Sequence, residues 1–60
     1  MDLREKFLKI YSNIPLSLRK EIILVLNGEP LTWNSAYLEV FNSTEKGKDI
    51  LNKLKEIDLV

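Results

Sequence analysis

The sequence predicts a small α+β domain, one unit over residues 1–60, in the order helix, β-hairpin, helix, helix. Three observations carry this prediction. The run Ile22 to Trp33, IILVLNGEPLTW, places Asn-Gly between two apolar stretches, the strongest short-range signal for a hairpin. Before it, Leu3, Phe7, Ile10, Tyr11 and Ile14 recur at helical spacing, and after it Gly47, Ile50, Leu51, Leu54 and Ile57 do the same. Sixty residues are too few for more than one core.

The first helix is expected from Leu3 to about Ser12. Asp2 with Glu5 three residues on resembles a capping box, and Pro15 pushes Ile14 out of helical angles, so the helix should close near Asn13. Arg4, Glu5, Lys9 and Ser12 are expected in solvent. Leu16 to Lys20 then forms a short connection whose leucines are expected to touch the core.

In the hairpin, Ile22 to Leu26 and Glu29 to Trp33 are the strands, and Asn27-Gly28 is a two-residue type I′ turn. That turn requires φ > 0 at both central residues, which Gly adopts freely and Asn tolerates. A two-residue loop fixes the expected pairs: Leu26 with Glu29, Val25 with Pro30, Leu24 with Leu31, Ile23 with Thr32 and Ile22 with Trp33. Alternation would then gather Ile22, Leu24, Leu26, Leu31 and Trp33 on an apolar face, leaving Ile23 and Val25 on the other. An all-α alternative makes 17–27 helical in a four-helix arrangement, with Ser17 as N-cap, Gly28 at C′ and Pro30 as the stop. The hairpin is preferred because IILVL is apolar all round at helical spacing and rich in β-branched residues, which are stiff at χ1.

Thr32 or Asn34 can cap a second helix that reaches about Phe41. Its residues Ala36, Tyr37, Leu38, Val40 and Phe41 leave only Ser35 and Glu39 as a polar edge. Asn42-Ser43-Thr44 interrupts it, and Asn42 with Glu45 is expected to cap a third helix ending near Ile57. Gly47 falls on the buried stripe of that helix, where glycine costs roughly 1 kcal/mol against alanine. The expected reason is close approach of another backbone. Trp33 and Tyr37, one turn apart, are expected in the core.

Composition excludes several function classes. Without cysteine or histidine there is neither a disulfide nor a conventional zinc site, and no cofactor or metal is expected. Lone carboxylates and serines without a positioned partner do not make a catalytic constellation, so no catalytic residue is assigned and the chain is expected not to be an enzyme. The longest apolar run is five residues, too short to span a membrane, and the charged start MDLREK is no secretory signal. A cytoplasmic location follows as the expectation. Asn42-Ser43-Thr44 matches a glycosylation sequon but is better explained as a helix boundary.

Nine basic and nine acidic residues cancel, so no overall field draws the chain to nucleic acid. Residues 1–20 nonetheless hold five basic residues against two acidic ones, and residues 21–42 hold three acidic residues and no basic one. A small DNA- or RNA-binding regulator is the alternative function, with the 34–57 helix pair as a helix-turn-helix and Arg4, Lys9, Arg19, Lys20, Lys46 and Lys53 as candidate contacts. Two features count against it. The lysines after residue 44 alternate with Glu45, Asp49 and Glu56, and the earlier basic set has no aromatic partners evident on its face. The preferred expectation is a non-catalytic protein-protein interaction module that forms a homodimer, a regulatory or antitoxin-like accessory protein. Surplus apolar surface motivates it, with Ile23, Val25, Leu38 and Phe41 as interface candidates and Asn27, Gly28 and Gly47 as structural residues.

Overall fold

A computed structural model of the chain describes residues 2–60. It has the predicted α+β order: helix α1 (Leu3–Ser12), strands β1 (Ile22–Leu26) and β2 (Glu29–Thr32), and helices α2 (Trp33–Phe41) and α3 (Glu45–Glu56). The start of α1 follows from Asp2, whose Oδ1 accepts the Glu5 backbone N–H at 2.8 Å. Its end follows from Pro15. The Asn13 and Ile14 N–H groups close the last turn onto the carbonyls of Ile10 and Tyr11, and the chain then leaves the helix.

Asn27 (φ 53°) and Gly28 (φ 82°) both lie in the left-handed region, as a type I′ turn demands. The helical alternative for 17–27 is thereby overturned, since Leu16–Leu18 is a single 3-10 turn and residues 22–26 pair as a strand. Pairing is as expected from the turn through Leu24↔Leu31 and then departs. Ile22, not Ile23, stands opposite Thr32, so Ile23 is the extra residue of a bulge, and Trp33 has already entered α2. The expected face changes with it. Leu24 and Leu31 are buried, Ile22 turns to solvent and Ile23 packs partly against the core. Pro30 is accommodated for a simple reason. The pair flanking a two-residue turn, Leu26↔Glu29, exchanges ladder hydrogen bonds, so Val25↔Pro30 is a pair that does not, and no N–H is missed.

Thr32 ends β2 and caps α2 at once, its Oγ1 accepting the Ser35 N–H at 3.1 Å. The base of the hairpin is tied to the preceding connection by Trp33 N–H donating to the Glu21 carbonyl and Asn34 N–H to the Arg19 carbonyl, at 3.3 and 3.0 Å. The leucines of that connection do not reach the core as expected. Leu16 and Leu18 stay exposed because the 3-10 turn is held only by local bonds.

Helix α2 ends in a Schellman motif, with Ser43 N–H donating to the Val40 carbonyl, Thr44 N–H to the Glu39 carbonyl, and Ser43 itself left-handed at φ 53°. Thr44, not the expected Asn42, then caps α3, its Oγ1 accepting the Gly47 N–H at 2.9 Å and donating to Glu39 Oε1 at 2.6 Å. One threonine thus closes one helix and opens the next. The corner brings the backbone of Glu39 against the buried Gly47. Helix α3 also ends in a Schellman motif, with Asp58 left-handed at φ 60°. Ile57 falls outside the core stripe predicted for it and is half exposed.

Phe7 from α1, Leu24 and Leu31 from the sheet, Trp33, Ala36 and Val40 from α2, and Ile50 and Leu54 from α3 form the core. Burying each large member contributes about 2 kcal/mol, so α2, central to the cluster, is the element the others are built on. Among the described residues no helix is long and apolar enough to cross a membrane.

Candidate interaction surfaces

Two surfaces present chemistry that the core does not consume. The first is the open edge of β1. The sheet has two strands only, and among the described residues no segment other than β2 hydrogen-bonds to β1. Since Val25 belongs to a pair that makes no ladder bonds, its N–H and C=O point outward from that edge. Beside them Ile22 is 61% and Val25 57% exposed. No lysine, proline or inward charge guards the strand.

The second surface lies between α1 and α2. Arg4, Leu8 and Tyr11 share one face of α1, and Tyr37 and Phe41 project beside them from α2. The rings of Tyr11 and Tyr37 stack at 4.3 Å and 13°, and Tyr37 meets Phe41 at 5.4 Å. Arg19 lies over Tyr11, its Cζ 4.4 Å from the ring centre, and Arg4 stands 6.0 Å from the centre of Phe41. Each arginine also serves a helix end. Arg19 donates to the carbonyls of Ile14 and Tyr11 at 3.1 and 3.3 Å, and Arg4 donates to the Phe41 carbonyl at 3.2 Å, where the dipole favours a cation. Arg4 is therefore not free in solvent as the helical wheel suggested. The expectation that the early basic residues lack aromatic partners is likewise overturned for these two.

The interface candidates divide. Val25 belongs to the open edge, Phe41 (52% exposed) lies in the aromatic surface, Leu38 (60%) is exposed on α2, and Ile23 is drawn inward by the bulge. Asn27 and Gly28 form the turn, and Gly47 the α2–α3 contact. Of the six basic candidates, Arg4 and Arg19 hold helix ends, Lys46 of α3 pairs with Glu29 of β2, and Lys53 lies 3.5 Å from Glu56. The hydrogen bond to Glu29 raises the Lys46 ammonium above the ordinary lysine value of 10.5. Lys9 and Lys20 make no ion pair among the described residues. Leu8 and Tyr11 belong to the second surface, and Asn34 adjoins it through Tyr11, although the sequence marks none of the three as a site residue; the spacing Arg4, Leu8, Tyr11 is the signal that points to the first two.

The chain matches no family model, no curated protein and no solved structure.

Proposed function

We propose that this chain is a non-catalytic interaction module of the cytosol that pairs with a second copy of itself through the edge of β1, in a regulatory or accessory role. The open edge is the observation that carries this reading. A two-stranded sheet is marginal alone, and an unguarded strand with outward N–H and C=O groups is a template for another strand. Two copies related by a two-fold axis near Val25 would make a four-stranded antiparallel sheet and cover Ile22 and Val25. A specific interface removes about 800 Å² per copy, a modest share of the chain's 4077 Å² of exposed surface.

Sedimentation equilibrium across micromolar concentrations tests this. The expected result is a concentration-dependent dimer of the 7.0 kDa chain, dispersed by Val25→Lys. A monomer at every concentration sinks the proposal, and a dimer indifferent to Val25→Lys moves the contact away from β1.

A further inference from the structure

Two hollows meet at Arg19. One, of about 370 Å³, is lined by Leu8, Tyr11, Ser12, Arg19, Tyr37 and Phe41, and is apolar and aromatic apart from Ser12 and the arginine. The other, of about 510 Å³, is lined by Leu16, Ser17, Arg19, Lys20 and Asn34. Tyr11 O–H donates to Asn34 Oδ1 at 2.8 Å and so braces the wall between them. Neither hollow has a carboxylate in its lining.

The second hollow is a surface of donors. Arg19 spends two of its five N–H groups on backbone carbonyls, which leaves three. Lys20 brings three more and has no ion-pair partner among the described residues. Asn34 receives Tyr11 on its oxygen, and its Nδ2 makes no hydrogen bond among the described residues. Donors of this kind, clustered without acceptors, match a carboxylate, and the planar guanidinium matches it best. Next to them, with Arg19 in both linings, the aromatic hollow asks for an apolar side chain.

We propose that this bipartite surface, separate from the edge of β1, docks a segment of a partner protein in which a bulky apolar side chain and an Asp or Glu stand within one helical turn of each other. The apolar side chain enters between Leu8, Tyr37 and Phe41, and the carboxylate meets Arg19 and Lys20. Charge complementarity selects this occupant, since the charged residues that line the two hollows, Arg19 and Lys20, are both basic. Stacking of a nucleic-acid base on Tyr11 is blocked. Arg19 and Tyr37 both lie within 4.4 Å of the Tyr11 ring centre, and two groups of that size cannot share one face, so Tyr11 offers no free face to a base.

The experiment is an NMR titration of the isotope-labelled chain with a synthetic amphipathic peptide of about twelve residues built from Glu, Leu and Phe. Its controls are the same peptide with Gln for Glu, and oligo(dT). Saturable shifts are expected at the amides of Leu8, Ser12, Ser17, Lys20 and Phe41, with those of Val25 still. The Gln peptide and the Lys20→Glu variant should each bind roughly two- to fivefold more weakly. Lys20 is exposed and its side chain makes no ion pair or hydrogen bond among the described residues, so its replacement is expected to leave the fold intact. The proposal is overturned by an absence of saturable shifts, by equal binding of the Glu and Gln peptides, by shifts confined to β1, or by oligo(dT) binding the same amides as tightly as the peptide.

Discussion

The backbone carbonyl of Glu39 fills the space into which a side chain on Gly47 would project, with its carbonyl carbon 2.8 Å from where a Cβ would sit. Helices α2 and α3 touch there backbone to backbone, and the approach is fixed by the Thr44 bonds to both residues. Alanine is the better helix former by about 1 kcal/mol, yet Gly47→Ala is expected to destabilise the chain by roughly 1–3 kcal/mol, because the obstructing atoms are backbone and can yield only if the corner opens. A urea denaturation midpoint at or above that of the parent chain would show that the contact is not tight.

Asn27 carries the second expectation. With φ at 53° it sits in the first central position of the turn, where a β-branched residue is forced left-handed. Asn27→Val should lower stability by about 1–2 kcal/mol, and Asn27→Gly should leave it within about 0.5 kcal/mol of the parent. Equal thermal midpoints for the Val and Gly variants would count against the turn.

Two further left-handed residues, Ser43 and Asp58, occupy the C′ positions where Schellman motifs favour glycine. Asp58→Gly and Ser43→Gly should each raise stability by roughly 0.5–1 kcal/mol, the relieved strain exceeding the added freedom of the unfolded chain. The two sites lie at different corners of the fold, so the double variant should gain the sum in calorimetry.

The ion pair of Lys46 with Glu29 sets a pH dependence. A lysine whose folded pKa is raised stabilises the fold fully below its ordinary value of 10.5 and loses that contribution as pH rises through the higher, folded value. The stability gap between the parent chain and Lys46→Gln should therefore be steady at neutral pH and close above 10.5. Because both partners are exposed, the gap should be small and should shrink with salt. A gap that widens at high pH refutes the assignment.

The hairpin and the three helices could be read from the chain because their signals are local: Asn27-Gly28, Asp2 ahead of Glu5, and apolar residues at period 3.6. What could not be read depends on contacts between elements. The bulge at Ile23 arises because Trp33 belongs to α2 and its N–H turns back to the Glu21 carbonyl, which a ladder counted outward from the turn does not anticipate. Both C-terminal caps escaped notice because Ser43 and Asp58 stand where glycine would have announced them. The sequence points to Asn42 as the α3 cap because a box pattern starting there ends in Glu45, whereas the observed cap, Thr44, has Gly47 three residues on, which cannot reciprocate. The aromatic surface was hidden for another reason. It joins residues 8 and 11 to residues 37 and 41 across a helix pair, and Arg19 reaches it from a connection with no periodicity at all.

The shared role of Thr32 limits how the chain can change length. Strand and helix meet there with no intervening loop, so a residue inserted between Thr32 and Trp33 would turn α2 by about 100° and carry Trp33, Ala36 and Val40 out of the core. An insertion at Gly28 meets no such obstacle, since it lies at the hairpin tip, where among the described residues nothing stands within 4 Å of the place a Cβ would take. Descendants of this sequence that lengthen should therefore do so at the hairpin tip, while the step from residue 32 to residue 33 keeps its spacing.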